Sequence, residues 1–236
     1  NMCKLFRHPG QVDGDLLLAP LVVEPGVGAV DAGDAVGGGE AVRRLAGEEG
    51  GVLHVEAQRL AIEAAHALAP EDVVGLSIGT RPDCLGEDVI SLLEELNRKK
   101  PIMVELGLQT IHPDTAAYIR RGYDLPVYDD AVRRLHAVGV QVITHIILGL
   151  PFETKTDMLQ SVRYAGERSD GVKLQLLHVL KGTDLLTDYQ NGVFQTLGPE
   201  AYAQLLCDCI EVLPPHVVVH RLTGDGDKKL LAAPLW

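Results

Sequence analysis

The feature that most constrains this chain is an alternation that begins near residue 73. Short apolar runs of strand length are separated by stretches with apolar residues at helical spacing. Val73-Val74-Gly75-Leu76-Ser77-Ile78 suits a buried strand, and 88–96 follows with Val89, Leu92, Leu93 and Leu96 on one helical face. Further strands are expected at 101–106, 140–148, 172–177 and 217–219, and helices at 114–120, 128–138, 155–166 and 201–212. Strands that alternate with helices pair in parallel, because parallel neighbours need a crossover connection. The phosphate-cradling G-x-G-x-x-G turn is absent, even where Gly28-Ala29-Val30-Asp31 invites it. The pattern therefore favours an α/β fold of the partial (β/α) barrel kind over a doubly wound sheet. In such barrels the chemistry sits at the C-terminal ends of the strands.

Upstream, the pattern changes. Glycines crowd 26–51, where ordering the chain costs entropy and few large side chains offset it. Leu16-Leu17-Leu18 and Leu21-Val22-Val23 could pair as short strands, and alanines and leucines over 55–68 have helical spacing that Ala69-Pro70 ends. The expected organisation is a glycine-rich leader over 1–54 and the partial barrel over 55–236.

Four segments stand at the strand ends. They are Gly79-Thr80-Arg81-Pro82-Asp83-Cys84, Glu105-Leu106-Gly107-Leu108-Gln109-Thr110, His145-Ile146-Ile147-Leu148-Gly149-Leu150-Pro151, and Leu177-His178-Val179-Leu180-Lys181-Gly182-Thr183. Glycines let a ligand approach the backbone, while Glu105, Gln109 and His145 offer hydrogen bonds. Each also has a plainer role: a loop cap for Gln109, a satisfied core histidine for His145, a helix C-terminal charge for Arg120 and Arg121. Their common location is what points to a polar mouth on an apolar barrel.

The acidic balance, with a formal net charge of −12, disfavours a general polyanion binder. Aromatic residues at 4% are too few for a stacking platform on single-stranded nucleic acid. No apolar run reaches the roughly 20 residues of a membrane helix, and Asn1-Met2-Cys3-Lys4 does not open a secretory signal. Cys3, Cys84, Cys207 and Cys209 have no spacing of a disulfide framework, so a cytoplasmic setting is expected.

In order and spacing, Gly-Thr-Arg-Pro-Asp, Glu-Leu-Gly-Leu-Gln-Thr, Arg120-Arg121-Gly122 and His-Ile-Ile-Leu-Gly-Leu-Pro resemble the radical S-adenosylmethionine (SAM) superfamily. The resemblance runs from about Val73 to Trp236. It is nearest to a bacterial subgroup related to the elongator catalytic subunit and to oxygen-independent coproporphyrinogen oxidase, and the closing Ala233-Pro234-Leu235-Trp236 fits that subgroup. It implies reductive cleavage of SAM by a 4Fe–4S cluster, acting on an unknown substrate. It also implies a SAM site made of Thr80, Glu105, Gln109, Arg121, His145, Gly149, Leu150 and Pro151. Among these, Gln109 falls toward the ribose, Arg121 toward the methionyl carboxylate and the 149–151 backbone toward the adenine. Gly79 stands where some relatives carry a glutamate. Likeness to the elongator subunit raises tRNA as a substrate, against which the acidic charge weighs.

The family's three cluster cysteines have no counterpart here. Upstream of Val73 there is only Cys3, and Cys207 and Cys209 are two apart on an expected helix, off a common face. The reading is a barrel with its first βα units missing or replaced, inactive as it stands. Gene truncation, a frame change near Ala69 or repurposing would each produce it. The alternative is a non-catalytic remnant that binds a nucleoside or a protein, or a barrel whose open strand edge invites association.

Overall fold

The computed structural model describes residues 3–7, 73–224 and 228–236. The leader and domain boundary expected at 54/55, the strand pair near 16–23 and the helix at 55–68 lie outside them. The main sheet runs, among the described residues, in the order Cys3–Arg7, Val73–Thr80, Ile102–Gln109, Gln141–Leu148, Gly171–Leu176 and Val218–Arg221. The chain divides into two compact units, Asn1–Val104 with Arg134–Val140, and Glu105–Arg133 with Gln141–Trp236.

The first unit carries β1 (Cys3–Arg7), β2 (Val73–Thr80), α1 (Glu87–Asn97) and the start of β3 (Ile102–Gln109). β1 runs antiparallel to β2, from Cys3 opposite Ile78 to Phe6 opposite Gly75, with a slip before Arg7. The open edge expected at the first barrel strand is therefore covered at β2. Nothing in Cys-Lys-Leu-Phe-Arg signalled a strand, because five residues carry too little alternation to be read. α1 buries Val89, Ile90, Leu93 and Leu96. Asn97 then ties its end down: Nδ2 donates to Gly139 O at 2.9 Å and Oδ1 accepts from Ile102 N at 2.9 Å. Arg134 does the same at the start, donating to Leu85 O at 2.7 Å and pairing with Glu87 at 2.8 Å.

The second unit contains the rest of β3, α2 (Pro113–Tyr118), most of α3 (Leu125–Ala137), β4 (Gln141–Leu148), α4 (Lys155–Gly166) and β5 (Gly171–Leu176). It continues through β6 (Val179–Leu180), α5 (Asp184–Gln190), α6 (Pro199–Val212), β7 (Val218–Arg221) and β8 (Leu231–Ala233). β4 and β5 are parallel and in register from Ile143 opposite Gly171 to Leu148 opposite Leu176, and β7 pairs in parallel with β5. The short β6 and β8 form a separate antiparallel pair. They were not expected, nor was α5, because elements of two to seven residues carry no readable period.

Alternate positions of the strands face opposite sides of the sheet. Leu106 and Leu108, Val142 and Ile146, Val172 and Leu174 are wholly buried, and each contributes roughly 1.5–3 kcal/mol of apolar burial. Thr144 lies in the same set, and its hydroxyl meets that of Tyr128 of α3 at 2.7 Å, so this is the helix-covered face. The other set of positions faces away from the helices, and there the polar residues collect. α4 opens on a reciprocal cap: Thr154 Oγ1 accepts from Asp157 N at 3.3 Å and Asp157 Oδ2 accepts from Thr154 N at 2.8 Å. That cap fixes the loop after β4, where the Gly-Leu-Pro segment sits.

Candidate functional site

The face away from the helices is built in rows. Glu105, His145 and Lys173 make one row, and the register sets Ile147 beside Gln175 in the next; Gly107 and Gln109 follow Glu105 at alternate positions along β3. Glu105 and Lys173 are each 5% exposed, while the His145 ring is 23% exposed. Glu105 Oε2 and His145 Nε2 are hydrogen-bonded at 2.9 Å, and the same oxygen is ion-paired with Lys173 Nζ. A buried charge needs a partner of opposite sign and hydrogen bonds to satisfy it, and this row provides both. Lys173 was missed by sequence reasoning. Its signal was a lysine set between Val172 and Leu174 in an otherwise apolar strand, where no solvated lysine would fit.

At the end of β3 the backbone turns sharply. Thr110 N donates to Leu108 O at 2.8 Å, closing a γ-turn centred on Gln109, whose φ is +67°. A non-glycine residue in this region stores strain of order 1–3 kcal/mol. The turn holds because its carbonyls are tied down: Arg121 Nη1 donates to Thr110 O at 2.7 Å and to Leu108 O at 3.2 Å, and Nε donates to Tyr123 O at 3.0 Å. The guanidinium also lies over the Tyr123 ring, 4.6 Å from its centroid. Arg121 is buried, so it serves the strand end rather than a helix dipole. Among the described residues, the Gln109 amide has no hydrogen-bond partner. It folds back along the strand over Gly107, where an added Cβ would come within 2.6 Å of Gln109 Nε2.

A polar network joins this turn to the loop after β4. Thr110 Oγ1 donates to Glu153 Oε1 at 2.5 Å and accepts from His112 N at 3.1 Å, and Ser161 Oγ accepts from Ile111 N at 3.2 Å. Burial raises the Glu153 carboxyl above its ordinary range, against the lowering pull of the Thr110 hydroxyl. Gly149 takes a φ of +85° and its N–H donates to Met158 Sδ at 3.0 Å, while Leu150 and Pro151 are buried. A cavity of about 230 Å³ is lined by Ile147 and Gln175 of the same face with Leu177, His178, Leu180 and Leu230. A second cavity, about 590 Å³, lies elsewhere in this unit. There Arg120 pairs with Asp184, and the Tyr118 hydroxyl, pushed up to about 12 by burial and by Asp188, donates to that aspartate.

The residues expected to hold SAM are thus placed as follows. Glu105, Gln109, Arg121, His145, Gly149, Leu150 and Pro151 belong to the second unit, Glu105 being engaged by His145 and Lys173 and Arg121 by backbone carbonyls. Thr80 ends β2 in the first unit. The donors for a cluster are not assembled among the described residues, where no group of three or more histidine, cysteine or acidic side chains could hold a metal. Cys84 and Cys207 are exposed and Cys209 is buried. Burial, with Asp208 nearby, pushes the Cys209 thiol up to about 12, the opposite of what a thiolate ligand requires. These residues do not fit a 4Fe–4S cluster.

Parallel strands with helices on one face and polar groups on the other are the architecture of a partial (β/α) barrel. The Radical SAM superfamily matches residues 37–165 and the Radical_SAM C-terminal domain matches 169–236. The chain belongs to the radical SAM superfamily, and the match reaches upstream of Val73, where the motifs alone had placed its start. It is 42% identical to YtqA of Bacillus subtilis over 78% of this chain and 57% of that protein. It is 34% identical to YhcC of Escherichia coli over 77% of this chain and 59% of that one. The chain therefore spans a little over half the length of these relatives. Among solved structures, the archaeal Elp3 of Methanocaldococcus infernus shares the fold, with a TM-score of 0.57 and 22% identity over 66% of this chain and 37% of its own. Among the described residues, no helix is long and apolar enough to cross a membrane.

Proposed function

We propose that this chain is a SAM-binding barrel that, as it stands, does not cleave SAM. The observation that carries the reading is the Gln109 turn. A strained backbone, a buried arginine holding it and an amide with no partner among the described residues converge on the face where a barrel of this class binds its ligand. Within the second unit, Gln109 and His145 would hold the ribose hydroxyls, Arg121 the methionyl carboxylate through the Nη2 that its carbonyl contacts leave over, and the Gly149-Leu150-Pro151 backbone the adenine, with Glu105 completing the set. When bound in radical SAM proteins, SAM supplies a sulfonium whose reductive cleavage starts radical chemistry; the described residues include no cysteine triad for the cluster that step needs. What they supply is orientation: Gln109 fixed by its turn, His145 by Glu105, and apolar Ile147 and Leu177 excluding water. Absence of a cysteine triad among the described residues also favours a second reading, a barrel that binds a nucleoside or a protein without catalysis.

Equilibrium dialysis with labelled SAM, beside anaerobic iron–sulfur reconstitution, tests this. The expected result is one SAM per chain, weakened about tenfold in Gln109→Ala, a loss matching one hydrogen bond of about 1.4 kcal/mol, with no stoichiometric iron. Absence of SAM binding overturns the binding claim. A stoichiometric cluster perturbed by SAM overturns the claim that the chain is inactive.

A further inference from the structure

The Glu105–His145–Lys173 row does more than satisfy buried charge. Both donors converge on a single oxygen, Glu105 Oε2, with His145 Nε2 at 2.9 Å and Lys173 Nζ in ion-pair contact. An imidazole and a carboxyl can meet in two ways: the ring donates to a carboxylate, or a protonated carboxyl donates to the ring. Lys173 decides between them. An ammonium in ion-pair contact with Oε2 stabilises the carboxylate and repels a proton on that same oxygen. The carboxylate must accept, so Nε2 must donate. In the neutral ring the lone pair then resides on Nδ1, which has no hydrogen-bond partner among the described residues.

We infer that Lys173 and Glu105 are positioning residues that hold His145 in its Nε2–H tautomer and so present Nδ1 as a hydrogen-bond acceptor on the ligand face. The geometry is enforced from the backbone. His145 and Lys173 are opposite one another in parallel register, so their side chains leave adjacent strands side by side toward the carboxylate on β3. Such a second group setting a ring's tautomer is a general device wherever a histidine must accept from, rather than donate to, a ligand. An acceptor here selects for a group with a hydrogen to give, a hydroxyl or an N–H, and discriminates against ether and keto oxygens. A site that pairs with a hydroxyl rejects the analogue lacking it, because the protein group is left unpaired. This deepens the nucleoside-binding reading and rests on it for the ligand's identity, but the tautomer belongs to the unliganded chain.

Long-range ¹H–¹⁵N correlation spectra of the ¹⁵N-labelled chain read the tautomer directly, at a pH about two units above the ordinary imidazole value of about 6.5. His145→Gln assigns the signal. The expected pattern is a hydrogen-bearing Nε2 and a bare Nδ1 in the unmodified chain, and a shift toward mixed tautomers in the double variant Lys173→Met/Glu105→Leu. That pair removes both charges at once, and circular dichroism checks its fold before the spectrum is read. Hydrogen on Nδ1 in the unmodified chain, alone or together with Nε2, overturns the inference. So does an unchanged tautomer in the double variant. SAM binding does not enter either outcome, so a failure of the SAM reading is seen separately in dialysis.

Discussion

Replacing Lys173 with methionine removes the cation from a carboxylate that is 5% exposed and leaves the methylene volume nearly unchanged. Breaking a buried ion pair by deleting one partner costs about 3–5 kcal/mol, because the surviving charge stays desolvated. Here His145 still donates to Glu105 Oε2 at 2.9 Å, so the lower end, about 3 kcal/mol, is the working figure. For a chain of this size that lowers Tm by roughly 6–12 °C. Adding Glu105→Leu removes the stranded carboxylate, and the double variant should recover most of the loss, as apolar replacement of a whole buried pair is often neutral. Urea unfolding followed by tryptophan fluorescence suits the measurement. Trp236 is the one tryptophan, its Nε1 donates to Leu197 O at 3.0 Å, and it lies in the same unit as all three groups. A single-variant cost below about 1 kcal/mol, or a double variant no better than the single, would refute the account of Glu105 as a buried carboxylate held by Lys173.

Three further outcomes are expected. Glu153 has a carboxyl raised by burial, so the folded state holds its proton to higher pH than the unfolded state, and stability falls as pH rises from the ordinary carboxylate range through the folded value. Glu153→Gln keeps an acceptor for Thr110 without that ionisation, and its Tm relative to the unmodified chain should climb as pH rises above the ordinary carboxylate range; a flat difference by calorimetry would contradict the burial effect. Gly107→Ala sets a methyl where Gln109 Nε2 lies, 2.6 Å from the added carbon, and the flexible amide must swing away. Stability should then change by less than about 1 kcal/mol while SAM affinity in dialysis falls, and equal affinity would remove Gln109 from the site. Thr154→Ala deletes half of the reciprocal cap on α4 and should cost about 1 kcal/mol in urea melts, with no loss meaning that Asp157 alone suffices.

Much of the fold was legible because the second half of the chain is locally consistent. Alternating burial in Val142 to Leu148, the amphipathic face of α1 and the Thr-x-x-Asp cap of α4 all state their element in a few residues. Boundaries moved by a few residues where a turn's geometry decided them. β3 reaches Gln109, not 106, because Arg121, eleven residues beyond Thr110 in sequence, holds the strand end in place. α5, β6 and β8 were invisible, as such short pieces depend on what they pack against; Val179 and Ala233 are joined through the small core around Leu150 and Phe194.

By itself, then, the sequence determined the βα alternation, the family and the set of polar residues at the strand ends, since each is written in local pattern and motif. What only the tertiary structure decided is who meets whom. A lysine, a histidine and a glutamate from three strands meet at one oxygen, and an arginine expected to greet a ligand also holds the carbonyls of the strand end. Those pairings depend on register and on the side of the sheet each residue faces. Both are fixed by long-range strand pairing, which no local stretch of sequence encodes.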